Sequence, residues 1–207
     1  MKQLLLDIKP KTRPTIANFV VGKNAEALHS LQMAITGNQN SRFVYIWGPS
    51  GSGKSHLLKA CSDLFEVPGV SLHCIDDVHL LDSQSQINLF NLYNETRDNN
   101  SVLITSGIAA PSQMGLREDL STRLAWGLTY QLHPLTDTEK AIALKNHALE
   151  RSMKLPDDVI DYCLKHLRRD LPTLMAILDA LDDWSLTEKK PINVPMLRKL
   201  LQLPLNI

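Results

Sequence analysis

The stretch Gly48-Pro49-Ser50-Gly51-Ser52-Gly53-Lys54-Ser55 constrains this chain more than any other, because it lies between an apolar run of strand type, residues 43–47, and a helical pattern over 55–65. It satisfies G-x-x-x-x-G-K-[ST] in the strand-turn-helix context that this pattern requires. The three glycines allow successive backbone N–H groups to turn inward around phosphate oxygens. The helix N-terminus adds its positive dipole, and Lys54 supplies a full charge to the outer phosphates. Ser55 is positioned to hold magnesium.

The periodicity around the loop alternates between strand and helix. Residues 24–36 read as a helix with Asn24 at its cap and Gly37 at its stop, 70–75 as a strand, 85–97 as a helix and 101–105 as a buried strand. A short helix near 116–124 precedes a last strand over 128–133, which ends at Pro134. Such βαβαβ order calls for an α/β fold, a parallel sheet with helices on both faces. Beyond Thr136 only helical patterns remain, with cap or breaker signals at Asp137, Pro156 and Pro191. The expected organisation is an N-terminal tail (1–14), a nucleotide-binding core (15–134) and a small helical domain (135–207).

Composition removes several function classes. With 207 residues, 43% of them hydrophobic, the chain can bury a core and a small appendage. Its 22 basic and 22 acidic residues give zero formal charge, which argues against direct, sequence-specific DNA binding. The three cysteines, Cys61, Cys74 and Cys163, are far apart and odd in number, as reduced cytosolic thiols are. The seven histidines show no paired ligand spacing, and His73 and His79 beside the acidic pair read as surface or core residues. The opening MKQLLLDIKP is too short in apolar run, and too soon interrupted by Asp7, Pro10 and Pro14, for a membrane span or a secretory leader. A first strand and a terminal peptide ligand both remain open for it.

The acidic companion of a phosphate loop belongs at the end of another buried strand, and Ser71-Leu72-His73-Cys74-Ile75-Asp76-Asp77 supplies it. Asp76 is expected to complete the magnesium site through water, and Asp77 to orient or activate an attacking water.

These residues carry a family resemblance. Residues 14–28, the phosphate loop with His56-Leu57-Leu58 after it, Ile75-Asp76-Asp77-Val78-His79, and Ser121-Thr122-Arg123-Leu124-Ala125-Trp126-Gly127 resemble the nucleotide-binding core of the DnaA branch of the AAA+ ATPases, from about Thr15 to Leu201. The resemblance implies ADP or ATP with Mg²⁺ as cofactors. It also implies an adenine pocket at Asn18, Phe19, Val20 and Gly22, and nucleotide contacts along Gly48, Pro49, Ser50, Gly51, Ser52, Gly53, Lys54, Ser55 and His56. The chain stops where an initiator continues into a DNA-binding domain, a plan similar to that of the DnaA-related regulatory inactivators, the Hda family. Glu118–Gly127 and residues 173–182 are closer to that pattern.

In that family an N-terminal peptide binds the polymerase III β sliding clamp, glutamine first and apolar residues after it. Gln3, Leu4, Leu6 and Ile8 match that order, so the resemblance makes them a clamp ligand. It makes Arg123 an arginine finger acting on a neighbour's nucleotide, from a position after the helix that follows the third strand; Arg117 lies at an unmatched offset. Departures are equally informative. Gly107 stands where the family has a polar sensor, and Pro172 where it has a lid arginine, with Arg168 and Arg169 one turn earlier. Only Glu66-Val67-Pro68-Gly69 joins the loop helix to the Asp76 strand, which predicts a reduced, four-stranded sheet with that strand at or near an edge.

The resemblance thus implies a cytoplasmic regulator of replication initiation, without membrane attachment, whose partners are the DnaA initiator and the sliding clamp. It has weak intrinsic ATPase activity at most, and a homodimer is left open. The alternative is a DnaA-type AAA+ ATPase or helicase loader working as its own oligomer.

Overall fold

The computed structural model describes residues 13–167 and 170–202. Two compact units are resolved by internal contacts, one over Pro14–Pro134 and one from Leu135 onward. The first holds β1 (Phe43–Trp47), β2 (Leu72–Ile75), β3 (Val102–Gly107) and β4 (Leu128–Gln131). They form one parallel sheet of four strands in the order β2-β3-β1-β4. The Asp76 strand is therefore at an edge, as the short Glu66–Gly69 connection requires. Partial exposure along all of β2 and full burial along all of β3 fit an edge and an inner strand respectively.

Side-chain alternation divides the core between the faces of the sheet. Val44, Ile46, Val102 and Ile104 pack with α1 (Ala25–Ile35) and α2 (Lys54–Leu64). Tyr45 and Leu103 point the other way, against α3 (Ser83–Asp98) and α4 (Glu118–Trp126), where Leu89, Tyr93, Leu120 and Leu124 are buried. The end of α3 is tied to the start of β1 by Arg42, which donates to the carbonyls of Thr96, Arg97 and Ser101 at 2.5 to 3.0 Å. Those carbonyls lie at or just beyond the helix C-terminus, where a cation is favoured.

Two local expectations change. Asn24 does precede α1, but its side chain makes no cap bond. Its amide spans to the chain after β4 instead, donating to the His133 carbonyl at 2.9 Å and accepting from the His133 N–H at 2.7 Å. With Asn24 2% exposed, that reciprocal pair satisfies a buried amide that a cap would satisfy only in part. β3 also runs to Gly107 rather than stopping at Thr105, because Trp47 on β1 pairs with Gly107.

The second unit holds α5 (Asp137–Glu150), α6 (Asp157–His166), α7 (Leu171–Glu188) and α8 (Val194–Gln202) around a core containing Leu144, Ile160, Leu174, Leu178 and Leu197. The start of α5 is set by a capping box from Thr136 to Glu139, one residue before the Asp137 signal. Pro172 occupies the first turn of α7, where a missing N–H costs nothing. Asp179, 6% exposed on α7, is met by His147 of α5 at 2.7 Å and by Arg151 at 3.3 Å. Among the described residues no helix is long and apolar enough to cross a membrane.

Candidate functional site

Because the strands are parallel, their carboxyl ends share one edge of the sheet, the edge where α/β proteins hold ligands. Three connected groups meet there. The phosphate loop follows β1, Gly107 ends β3, and Asp76 follows β2. The Gly48 N–H donates to the Gly107 carbonyl at 3.3 Å, joining the loop to β3. The Ser106 hydroxyl donates to Asp76 Oδ1, and the Asp77 N–H donates to both Ser106 Oγ (3.2 Å) and Asp76 Oδ1 (3.0 Å), joining β3 to β2. Asp77 takes a left-handed conformation (φ 49°, ψ 49°) which those bonds help to hold. Its half-exposed carboxylate lies 3.9 Å from His79 Nδ1.

The loop itself is closely built. Lys54 is 8% exposed, and its Nζ donates to the carbonyls of Gly48 (2.8 Å) and Pro49 (3.2 Å). Ser52 Oγ is buried with no partner, which a buried hydroxyl tolerates poorly. A Cβ on Gly48 would collide with the Leu132 carbonyl, so the loop and the chain leaving β4 touch backbone to backbone. Gly53 has φ 96°, and a Cβ there would come within 2.7 Å of the Phe19 ring. A lysine drawn over the loop by its own carbonyls, an orphaned hydroxyl inside the turn and open space at Gly51 fit a phosphate group, which would take over those bonds.

The segment before α1 is brought to the same place. Phe19 faces His56 at 5.6 Å between ring centroids, and His56 Nε2 lies 2.9 Å from the Thr15 carbonyl. Thr15 and Asn18 close a turn on each other, at 2.8 and 3.1 Å. Val20 is partly buried and Gly22 is exposed with φ 51°. Ser50 and Ser55 are exposed on the loop and at the start of α2.

Gly107 is closed to any side chain. A Cβ there would fall on the Tyr45 hydroxyl and within 2.8 Å of Met114 Sδ. Tyr45, 1% exposed, donates that hydroxyl to the Ala109 carbonyl at 2.6 Å, and burial pushes its pKa up. The empty sensor position is thus filled from the neighbouring strand.

Arg123 stands apart from these groups, and its expected placement needs correction: it lies within α4, in its last turn, not after the helix. Its guanidinium sits over Trp126, 4.2 Å from the ring centroid, and 5.8 Å from Phe90 of α3. These three line an open groove of about 660 Å³ with Arg117, Glu118, Asp119 and Thr122. Arg117 is taken by Asp119 at 2.8 and 3.2 Å, a pair that holds the Asp119 carboxyl below its ordinary range.

Ser106, Trp126 and Phe90 were not singled out from the sequence. The parallel register, which sets Ile75 opposite Thr105, carries the signal for Ser106, and the three-residue spacing to Arg123 carries it for Trp126. Gln3, Leu4, Leu6 and Ile8, with Arg168 and Arg169, lie outside the described residues.

A parallel sheet whose phosphate loop follows an inner strand, continued into a separate helical unit, is the build of a P-loop α/β fold with an appended helical domain. A family model for the lid domain of Hda matches residues 137–201. Domain III of the Thermotoga maritima replication initiation protein DnaA superposes with a TM-score of 0.77 at 20% identity, over 93% of this chain and 97% of that one. AMPPCP-bound DnaA from Aquifex aeolicus gives 0.69 at 20% identity, over 84% and 66%. A Thermotoga maritima RuvB gives 0.68 at 16% identity, over 92% and 72%. Residues 137–201 are thus similar to the Hda lid, and the chain as a whole has the fold of DnaA domain III.

Proposed function

We propose that this protein is a regulator of replication initiation that holds an adenine nucleotide, rides the polymerase sliding clamp, and uses Arg123 to stimulate hydrolysis of ATP bound to DnaA. The Hda lid match supports the regulatory class, and the AMPPCP-bound DnaA fold supports a nucleotide at the loop. The observation that carries the reading is Arg123 itself: a cation at an open groove with no carboxylate partner among the described residues. A guanidinium so placed can neutralise charge growing on a phosphoryl group, an effect worth about 10³ to 10⁵ in rate where it operates.

In this reading the loop amides and Lys54 hold the nucleotide's phosphates, with Phe19, Asn18, Val20 and Gly22 beside the base. Ser55 and Asp76, the latter through water, hold Mg²⁺, which supplies charge neutralisation when bound. Ser106 fixes the orientation of Asp76, and Asp77 faces solvent as the water-orienting carboxylate. Gly107 and Pro172 offer no sensing group, so the protein's own turnover is very slow and ADP binds about as well as ATP. Gln3, Leu4, Leu6 and Ile8 form the clamp ligand, the glutamine amide hydrogen-bonding at the pocket rim while Leu6 and Ile8 bury apolar surface.

The test is DnaA-ATP hydrolysis measured with and without clamp loaded on DNA, for the natural protein and for Arg123→Ala. Acceleration that needs clamp and vanishes with Arg123 is the expected result. Acceleration that survives Arg123→Ala removes the finger assignment. Concentration-dependent turnover by this protein alone, lost on the same substitution, marks a homo-oligomeric ATPase instead.

A further inference from the structure

Trp126 is 65% exposed, so core packing does not account for an indole at that position. It lies three residues after Arg123 on one helix, and the Arg123 guanidinium carbon sits 4.2 Å from its ring centroid. Phe90, from α3, approaches the same guanidinium at 5.8 Å. The nearby carboxylate, Asp119, is engaged by both Nε and Nη2 of Arg117.

The two ways of holding an arginine differ in what they leave available. A carboxylate takes two of the guanidinium's N–H groups and cancels its charge. An aromatic ring attracts the cation through its quadrupole and takes none of the N–H groups in an in-plane bond. Of the two acids that line the groove, Asp119 is spent on Arg117 and Glu118 makes no ion pair with Arg123, whose contacts among the described residues are to rings.

We infer that Trp126, backed by Phe90, is the positioning residue for Arg123: it fixes the guanidinium by its charge while leaving the N–H fork free for phosphate oxygens, and the Arg117–Asp119 pair keeps the carboxylate from capturing it. This rests on the reading of Arg123 as the group that acts on DnaA-bound nucleotide.

The experiment compares the full chain with Trp126→Leu, Trp126→Phe and Arg123→Ala in clamp-dependent DnaA-ATP hydrolysis, after circular dichroism has shown native helix content. Trp126→Leu is expected to lower the maximal rate about tenfold with the half-saturating DnaA concentration unchanged, and Trp126→Phe, which keeps a ring, to restore most of it. In proton NMR the Arg123 side-chain δ protons should lie upfield in the natural protein and return to the exposed-arginine position in Trp126→Leu. Full rate in Trp126→Leu alongside loss in Arg123→Ala overturns the positioning role and leaves the finger assignment standing. An unchanged maximal rate with a raised half-saturating concentration also overturns it, because Trp126 is then a partner contact. So does an unshifted Arg123 resonance in the natural protein. Full rate in Arg123→Ala removes the underlying reading and the inference together.

Discussion

The carboxyl edge of the sheet and the α3–α4 groove both carry positive charge and treat it in opposite ways. At the sheet edge Lys54 is buried and bonded to two carbonyls of its own loop, while Asp76 is bonded by Ser106 and by the Asp77 amide. In the groove Arg123 is half-buried against rings, with Asp119 already paired to Arg117. A site whose donors are provisionally satisfied stays folded until a ligand outcompetes the internal bonds. A site with an unspent cation is built for a group that arrives from elsewhere. On the proposed reading, the first region binds and the second acts on a partner.

The sharpest break between the regions is expected from Arg123→Ala. DnaA-ATP hydrolysis should fall by up to about 10³ to 10⁵, while melting temperature and nucleotide affinity change little, since the half-buried guanidinium makes no ion pair among the described residues and a partly exposed cation–ring contact is worth only about 0.5–1 kcal/mol. A large drop in thermal stability would show that the arginine is structural. At the other region Gly48→Ala forces a methyl into the Leu132 carbonyl, and calorimetry should show a loss of about 3 kcal/mol or more, since neither backbone can yield freely. Lys54→Ala should weaken ATP and ADP alike by about one to two orders of magnitude in titration calorimetry, by removing the charge at the phosphates. A selective loss of ATP alone would contradict the absence of a γ-phosphate sensor.

Ser106→Ala sharpens the comparison further. It strips Asp76 of its hydroxyl donor and should cost about 1.5 to 3 kcal/mol in chemical denaturation; Ser106→Thr, if accommodated, should recover part of it. The smallest effect concerns the thiols. Burial pushes Cys61 from the ordinary 9.0 up to about 12, and Cys74 and Cys163 to about 11. A proton held more tightly when folded favours the folded state less as pH rises. The thiol contribution is therefore intact below about pH 9 and is lost on passing through 11 to 12. Unfolding followed by fluorescence from pH 8 to 11 should show stability falling only above 9, with no maleimide labelling of the folded protein at pH 8.

Most of the fold was legible because it depends on short-range pattern: an apolar run, a glycine turn, a helix, repeated. The edge position of β2 followed from one four-residue connection. What escaped depends on partners distant in sequence. Asn24 carries the signature of a cap, yet its amide is claimed by His133 across 109 positions. Ser106 carries no signal of its own, and only strand order sets it beside Asp76 and joins Gly107 to the phosphate loop. Arg123 falls inside both the expected helix, 116–124, and the observed α4, so its placement after a helix came from the resemblance and not from the periodicity. The phosphate loop was readable as a motif, whereas the bonds from Lys54 to the Gly48 and Pro49 carbonyls were not, since they depend on the loop's three-dimensional path.

The phenol of Tyr45 couples position 45 to position 107. While tyrosine stands at 45, a side chain at 107 collides with its hydroxyl, so a sensor group cannot be placed there by a single substitution. The tyrosine must shrink first, and on its own that step opens a void beneath β3 and leaves the Ala109 carbonyl without its donor. Each order of the two changes passes through a less stable intermediate. The glycine at 107 is thus held by packing against the tyrosine, whatever chemistry a side chain there would supply.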